Sequence, residues 1–254
     1  MRIIYGINPV TEALAAGRGG ISEIFISVKR RDKSLDAIVR AASSGKIKVT
    51  GAGARRLCEL AGTEGHQGVV AVFKGEYPYC GIEDIVDNWR ASGKSAFILI
   101  LDCIQDPQNF GSLVRAAHCA GADGVIIPKD RAAQVTPAVV KASAGATEHT
   151  LIARVTNLRD AIKRLKDEGV WIAGIEASFD KTIYNTELDG DIALIIGSEG
   201  SGMRRLIRQE CDYRVSIPMK GRINSMNAAQ AGAVALFEVR RQKDARTQKE
   251  AGGG

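Results

Sequence analysis

The sequence predicts an α/β protein in which a small N-terminal α/β domain precedes a larger C-terminal domain built on a parallel sheet. Short, continuous apolar runs at residues 97–101 and 193–196 are typical of parallel strands that are buried on both faces. Segments with helical periodicity separate such runs, and this alternation favours a parallel sheet flanked by helices. A length of 254 residues is enough for one large domain or two modest ones.

The composition is that of a globular protein, with 45% hydrophobic and 25% charged residues. No stretch approaches the roughly 18 apolar residues of a membrane span. A strand-like pattern begins at the first residues and leaves no room for a signal peptide, so we expect a cytoplasmic protein. Basic residues exceed acidic residues, which gives a net charge of +6. This surplus suits a polyanionic partner such as a nucleic acid.

The cysteines predict no metal site. There are five of them, an odd number without a C-x-x-C pair, and the three histidines have no zinc-ligand spacing beside them. We therefore expect reduced and mostly buried thiols and no bound metal. The cysteines are Cys58, Cys80, Cys103, Cys119 and Cys211.

Residues 1–75 are predicted to form the N-terminal domain. Asn8 and Pro9 predict the start of a first helix over residues 10–16, with Asn8 as its cap, and Gly17 ends it. The elements that follow are a strand at 21–28 with a face of Ile24, Ile26 and Val28, a helix at 34–42, a strand at 46–49, a helix at 55–61 and a strand at Val69–Phe73.

Residues 76–95 are predicted to be a linker that contains one helix. Ile82, Ile85, Val86 and Trp89 recur with helical spacing, which predicts a face that packs against a core. The run at 92–95, Ser-Gly-Lys-Ser, lacks the preceding strand and the glycine spacing of a phosphate-binding loop, so we reject that interpretation.

The C-terminal domain is predicted to span residues 96–243, with a flexible tail at 244–254. Its predicted strands are 97–101, 125–127, 171–174, 193–196 and 215–217. Its predicted helices are 112–120, Pro137–Ala142, 158–168, 203–208 and 227–242.

Polar loops follow two of these strands and open two of these helices. Asn109, Gly111 and Arg115 lie where a polar loop becomes a helix, and a helix cap with a surface arginine would explain them equally well. Ser225 and Asn227 open the last helix, where they could serve only as caps.

The glycine-rich loop at residues 197–202 surrounds a carboxylate, Glu199. Its G-x-x-G-x-G spacing is the reverse of the dinucleotide fingerprint, and Glu199 would repel a pyrophosphate. A glycine-rich turn before a helix is the alternative. Because ligands sit beyond the carboxyl ends of parallel strands, we expect this loop and the polar loop after residue 217 to form a pocket.

Together the three segments closely resemble the signature motifs of the SpoU/TrmH group of the SPOUT superfamily, which are RNA 2′-O-methyltransferases. The first motif, N-x-G-x-x-x-R, matches at Asn109, Gly111 and Arg115. The other two motifs match at Gly197, Glu199, Gly200 and Gly202, and at Ser216, Ile217, Pro218, Met219, Gly221, Ser225 and Asn227.

The resemblance extends to the N-terminal domain. Residues 5–10 and the His66-Gln67-Gly68 run resemble the ribosomal-protein-like RNA-binding domain of bacterial enzymes that methylate a guanosine in the peptidyl-transferase region of 23S rRNA. The third motif departs from the family pattern at two places: Met226 replaces a leucine, and Ala228-Ala229-Gln230 replaces Val-Ser-Val. The missing hydroxyl at Ala229 leaves the start of the last helix less polar.

The resemblance implies a deep trefoil knot in the C-terminal domain, a homodimer with the last helix in its interface, and S-adenosylmethionine as methyl donor. The implied cofactor-binding residues are Gly197, Gly202, Ile217, Pro218 and Met226. The implied catalytic residues are Arg115, Asn109, Glu199, Ser225 and Asn227.

The resemblance implies an attack of a ribose 2′-OH on the activated methyl group. The protein must then align the hydroxyl and remove its proton. The family assigns proton removal to the arginine at position 115, but arginine side chains stay protonated in proteins. We find it physically easier for Arg115 to position a phosphate and stabilise the developing alkoxide.

RNA is the partner that the resemblance implies, since only RNA has the 2′-OH acceptor. The basic residues expected to bind it are Lys29, Arg30, Arg31, Arg204, Arg205, Arg208, Lys220 and Arg222. Two alternatives stay open, a tRNA ribose 2′-O-methyltransferase and a catalytically inactive RNA-binding protein with the same fold. The intact motif residues argue against the second.

Overall fold

The computed structural model describes residues 1–30, 32–200, 202–222 and 225–252. The chain divides into two compact units, each made of two segments. The first unit comprises Met1–Pro78 and Val135–His149, and the second comprises Tyr79–Gln134 and Thr150–Gly254.

The strands and helices alternate along the described chain except at β8 (Trp171–Ile175) and β9 (Ile192–Gly197), which follow one another without an α-helix between them. In order they are β1 (Arg2–Tyr5), α1 (Ile7–Ala16), β2 (Ile21–Ser27), α2 (Lys33–Ser44), β3 (Lys48–Ala52), α3 (Ala54–Ala61), β4 (Val69–Phe73), α4 (Ile82–Ser92), β5 (Phe97–Asp102), α5 (Pro107–Cys119), β6 (Gly124–Pro128), α6 (Pro137–Ala142), β7 (Ile152–Val155), α7 (Leu158–Asp167), β8 (Trp171–Ile175), β9 (Ile192–Gly197), α8 (Arg205–Gln209), β10 (Tyr213–Val215) and α9 (Ala228–Gly252).

The first unit contains a mixed four-stranded sheet with the order β1-β4-β2-β3. Strand β4 is antiparallel to β1 and β2, while β2 and β3 are parallel. Ile4, Ile24 and Leu35 are buried in its core together with Val140, which comes from α6 in the second segment. The N-terminal α/β prediction is confirmed, but the segment Val135–His149 also contributes to this core.

A buried ion pair joins the segment Val135–His149 of the first unit to β1. Arg2 donates from its two terminal nitrogens to the two carboxylate oxygens of Glu148, both at 3.0 Å, and Glu148 is 3% exposed. The guanidinium carbon of Arg2 also lies 4.0 Å from the centre of the Phe73 ring. Such paired geometry compensates for burying both charges.

Two expectations for the first unit are wrong in detail. Helix α1 begins at Ile7 after Gly6, not at Val10 after an Asn8 cap. The helix can begin early because the amide of Ile7 donates to Oε1 of Gln67 at 3.1 Å, a partner that is remote in sequence. Val28 lies beyond the end of β2 and is 64% exposed, so it does not belong to the strand's buried face.

The second unit is built on a six-stranded sheet with the order β10-β8-β9-β5-β6-β7, and every pair in it is parallel. This arrangement confirms the predicted parallel sheet. Strand β7 was not predicted, because its four residues include the exposed Arg154 and show no continuous apolar run. Ile85, Val86 and Trp89 of α4 are buried in the core of this unit, which confirms the predicted packing face.

Several boundaries differ from expectation. Helix α5 begins at Pro107 rather than at Ser112, because the Asp106 carboxylate caps it by accepting from the amide of Asn109 at 2.8 Å. Helix α9 continues to Gly252 rather than ending at residue 242, through the segment predicted to be a flexible tail. Good helix formers and ion pairs one turn apart, such as Arg240–Asp244 and Arg246–Glu250, explain the extension.

The trefoil knot in the C-terminal domain stays a prediction.

In the described part of the chain, no helix is long and apolar enough to cross a membrane.

Candidate functional site

Loops at the carboxyl edge of the second unit's sheet enclose a cavity of about 430 Å³. Because all six strands are parallel, the loops that follow β8, β9 and β10 emerge at the same edge and can converge there. The lining includes Ile175, Glu176, Ile196, Gly197, Glu199, Gly202, Ile217, Ser225, Met226, Ala228 and Ala231. The volume lies within the range of about 300–1,000 Å³ typical of small-molecule sites.

The glycine loop after β9 forms a tight turn. Ser198 and Gly202 bond to each other through their backbones, with N–O distances of 3.1 and 3.0 Å. A Cβ atom on Gly197 would lie 2.3 Å from the carbonyl carbon of Gly202, so no side chain fits at this position. Gly202 has a φ of +63°. The backbone therefore approaches the cavity as closely as the sequence led us to expect.

The three polar segments meet at one carboxylate oxygen. Oε1 of Glu199 accepts from Nδ2 of Asn109 at 2.8 Å and from the amide of Ala228 at 3.3 Å. It also accepts from Nδ2 of Asn227. The same Nδ2 of Asn227 donates to Oδ1 of Asn109 at 2.8 Å. We call Asn109, Glu199 and Asn227 the amide–carboxylate cluster.

Asn227 serves the helix as well as the cluster. Its Oδ1 accepts from the amides of Ala229 at 2.9 Å and Gln230 at 3.2 Å, which is the arrangement of an N-terminal cap. The capping alternative is therefore correct for one end of this side chain, while its Nδ2 contacts the carboxylate. Because Oδ1 and Nδ2 are both engaged, the side chain is held in a single orientation.

A second ion pair fixes the glycine loop to the neighbouring strand. Asp102, at the end of β5, is fully buried and accepts from the backbone amide and from Nε of Arg204, each at 2.7 Å. Sequence reasoning missed Asp102. The signal was its position as the one carboxylate that directly ends the apolar run at 97–101.

Glu176 was also missed, and it lines the cavity. Its carboxylate accepts from Nε and Nη2 of Arg208 at 3.0 and 2.8 Å, and from Oγ of Ser178 at 3.2 Å. Arg204 and Arg208 were expected among the RNA-binding residues. Their guanidinium groups form ion pairs with Asp102 and Glu176, which neutralise much of their charge, and their role in RNA binding stays a prediction.

Some of the predicted site residues line the first cavity and others do not. Those that line the cavity are Gly197, Glu199, Gly202, Ile217, Ser225 and Met226. Pro218 is exposed and Arg115 lies on the exposed face of α5, and neither lines this cavity. Within the described part of the chain, Arg115 has no hydrogen-bond or ion-pair partner. Arg205, Lys220 and Arg222 are exposed, and Arg31 lies outside the described residues.

A second cavity of about 510 Å³ adjoins the first across the glycine loop. Ser198, Glu199 and Gly200 line both cavities, and Asn109 and Gln105 line the second. Cys103 also lines it, and burial raises the pKa of the Cys103 thiol, which disfavours a reactive thiolate. The amide–carboxylate cluster thus lies between the two cavities, an arrangement that can hold two reactants side by side.

Among the residues described, no group of His, Cys, Asp and Glu side chains could hold a metal ion.

Comparison with known proteins agrees with the fold. The SpoU rRNA Methylase family matches residues 96–237, and a domain described as RNA 2′-O ribose methyltransferase substrate binding matches residues 3–79. A Staphylococcus saprophyticus protein assigned to the TrmH family of tRNA/rRNA methyltransferases is 38% identical over 95% of this chain and 96% of its own length. The 23S rRNA (guanosine-2′-O-)-methyltransferase RlmB of Ralstonia nicotianae is 36% identical over the same shares.

A solved structure with a similar fold is also a SpoU methyltransferase. The SpoU methyltransferase AviRb from Streptomyces viridochromogenes, in complex with the cofactor AdoMet, has a TM-score of 0.80 at 25% identity, covering 95% of this chain and 90% of AviRb. The fold and site define an RNA 2′-O-methyltransferase. The chain belongs to the SpoU/TrmH family of these enzymes, whose members use S-adenosylmethionine.

The cavity fits this cofactor. Ile175, Ile217 and Met226 offer apolar surface for a flat purine. Because Gly197 has no side chain, its backbone amide and carbonyl groups lie close to the cavity. The Glu176 carboxylate supplies an acceptor in the same wall. When bound, S-adenosylmethionine supplies a methyl group that is already activated on a sulfonium.

Proposed function

We propose that this chain methylates the ribose 2′-OH of a guanosine in the peptidyl-transferase region of 23S rRNA. The observation that carries the proposal is the amide–carboxylate cluster, which lies between a cofactor-sized cavity and the second cavity. The rRNA assignment is supported by the 36% identity to RlmB, while the tRNA/rRNA name of other relatives keeps a tRNA target as the alternative.

Gly197, Gly202, Ile217, Pro218 and Met226 bind the cofactor in this proposal. The cavity walls support four of these residues, and Pro218 fixes the turn that presents Ile217. Ser225, which is exposed in the same wall, orients either the ribose or the cofactor.

The cluster holds the carboxylate of Glu199 ready for the incoming hydroxyl. Oε1 of Glu199 already accepts three hydrogen bonds, from Asn109, Asn227 and Ala228. Oε2 has no partner among the described residues, so it remains able to accept a hydrogen bond from a hydroxyl. Asn109 and Asn227 therefore position Glu199, and Glu199 aligns the ribose 2′-OH.

Arg115 positions a phosphate of the RNA and stabilises the developing alkoxide. Its exposure and lack of a partner within the described chain suit a group that meets its ligand only when RNA binds. The proposed active form is a homodimer with α9 in the interface. Helix α9 packs against α5 and leaves Phe237 50% exposed, which is consistent with a partner on this helix.

The proposed organisation assigns RNA binding to residues 1–75, a linker to 76–95 and methyl transfer to 96–243, whose chain follows the trefoil knot of the family. The proposed compartment is the cytoplasm.

The decisive experiment is incubation of the full-length chain with labelled S-adenosylmethionine and unmodified 23S rRNA or tRNA transcripts, followed by mapping of the 2′-O-methyl group. Transfer to a guanosine of 23S rRNA supports the proposal, and transfer to tRNA alone would replace it with the alternative target. No transfer to either RNA would favour an inactive RNA-binding protein.

The role of Arg115 has a separate test. Arg115→Lys keeps the charge but loses the planar, two-pronged geometry that matches a phosphate. We expect single-turnover methylation to slow by roughly 10²-fold or more. Near-normal methylation by this variant would exclude both the phosphate-positioning role and the proton-acceptor role.

A further inference from the structure

A cluster of basic side chains in the first unit is organised around one glutamine. Gln67 has a left-handed backbone with a φ of +57°. Its Oε1 accepts from Nζ of Lys141 at 2.6 Å and from the amide of Ile7 at 3.1 Å. Its backbone carbonyl accepts from Nη1 of Arg30 at 3.0 Å. Gln67 therefore places Lys141 and Arg30 at the same end of the sheet, and Lys29 precedes Arg30.

Lys141 is held by a neutral acceptor rather than by a carboxylate. Among the described residues, Gln67 is its one hydrogen-bond partner, and no acidic side chain forms an ion pair with it. An ammonium group has three protons to donate, so two of them remain unused. Arg30 differs, because Nη2 of Arg30 pairs with Asp32 at 2.8 Å.

The ammonium group of Lys141 is also partly removed from water. A Cβ atom on Gly6 would lie 2.5 Å from Nζ of Lys141, which shows how closely the ammonium packs on the backbone there. Burial lowers the pKa of Lys141, in agreement with this packing. A partly buried cation without a counter-ion costs free energy unless an anion completes its shell.

We propose that Lys141, beside Arg30, binds a backbone phosphate of the RNA substrate. Phosphate oxygens would accept hydrogen bonds from the unused protons of Lys141, and the net charge of the cluster suits an anion, since Asp32 offsets only one of the two cations. Lys141 lies outside residues 3–79, to which RNA substrate binding is assigned by similarity. The inference therefore extends the RNA-binding surface to α6, and it rests on the proposed function.

The test compares RNA binding by the full-length protein and its Lys141→Gln variant over a range of salt concentrations. The probe is an unmodified transcript of the peptidyl-transferase region of 23S rRNA. Loss of one phosphate contact should weaken binding roughly five- to tenfold near 0.1 M salt and reduce the slope of log K against log salt by about 1. Lys141→Arg, which keeps the charge, should recover most of the affinity.

Lys74→Gln is the matched control. Lys74 is an exposed lysine directly after β4, whereas Gln67 lies before this strand, so the strand's length of roughly 17 Å separates the two sites. This control removes one positive charge from the same unit and should leave the salt slope near that of the unmodified protein. Equal slopes for Lys141→Gln and Lys74→Gln would overturn the inference.

Two further readouts separate the possible failures. A purely structural Lys141 would lower the thermal stability of Lys141→Gln and Lys141→Arg without a change in salt slope, which would also overturn the inference. Methyl transfer by the unmodified protein is measured in parallel. If it is absent while the salt slopes differ as expected, the proposed function fails and the phosphate site stands.

Discussion

Asp102 and Arg204 are 102 residues apart in sequence, and they join the end of β5 to the second residue after the glycine loop. Both oxygens of Asp102 are used, one by the backbone amide of Arg204 and the other by its Nε, at 2.7 Å each. The pair fixes Gly202 and Met203 relative to the sheet, and Gly202 lines the cofactor cavity.

Asp102→Asn should lower the free energy of unfolding by about 1–3 kcal/mol, because the buried group can no longer accept both bonds or neutralise the arginine. It should also weaken S-adenosylmethionine binding, since the loop loses its anchor. Urea unfolding and calorimetric titration measure the two effects. Glu210→Gln, which breaks the exposed Arg159–Glu210 pair, serves as control and should cost at most about 1 kcal/mol.

Asn227 allows capping to be separated from its role in the amide–carboxylate cluster. Asn227→Asp keeps an oxygen that can accept from the amides of Ala229 and Gln230, so stability should change little. It removes the Nδ2 donor and adds a negative charge beside Glu199. Methyl transfer should fall by roughly 10²-fold or more.

Asn227→Ala should lose the cap as well, at a cost of about 1 kcal/mol, together with activity. Thermal unfolding and single-turnover methylation of both variants provide the measurement. Full activity of Asn227→Asp would show that the cluster does not position Glu199 for the reaction.

Substitution by alanine should reduce stability at one glycine of the glycine loop and leave it nearly unchanged at another. A Cβ at Gly197 would lie 2.3 Å from the backbone of Gly202, whereas a Cβ at Gly200 meets nothing within 4 Å. Gly197→Ala should therefore displace the loop, reduce stability by about 1–3 kcal/mol and abolish cofactor binding. Gly200→Ala should fold with a stability within about 0.5 kcal/mol of the unmodified protein. Similar behaviour of the two variants in unfolding and titration experiments would contradict the steric argument.

Lys243 should make stability depend on pH above neutrality. Lys243 is 4% exposed, its ammonium group donates to Ser95, Ala96 and Gly190, and burial lowers its pKa from 10.5 to about 8. Between these two values the unfolded chain binds more protons at this position than the folded chain does. The contribution of Lys243 to the free energy of unfolding should therefore increase as the pH rises from about 8 to about 10.5.

The measurement is urea unfolding of the unmodified protein and of Lys243→Met across this pH range. The difference between the two proteins isolates Lys243, because all other titrating groups are shared. A difference that does not vary with pH would show that the lysine titrates equally in both states.

The sequence predicted which segments form buried strands and which helix faces are buried better than it predicted where the helices begin and end. Apolar runs identify β5 and β9 because both faces of these strands are buried. The start of α5 was misplaced because Asp106 and Pro107 were assigned to a loop, although an acidic residue followed by proline is a helix-start signal.

The site was predictable where a motif spanned it and unpredictable where distant residues pair. Asn109, Glu199 and Asn227 were selected by their motifs, and the structure brings all three together. The partner of Asp102 depends on which strands are neighbours and on the path of the glycine loop, which local patterns do not specify. For the same reason, local sequence patterns could not identify Glu148 as the ion-pair partner of Arg2.

The first unit's use of two chain segments has a consequence for its synthesis on the ribosome. Residues 1–78 emerge first, but Arg2 has no ion-pair partner and the core lacks Val140 until residue 149 has been made. At ~5–20 residues per second, this delay is roughly 4–14 s. During that time the nascent unit exposes apolar surface that α6 later covers, so the first unit should become resistant to protease only when the second half of the chain is already being translated.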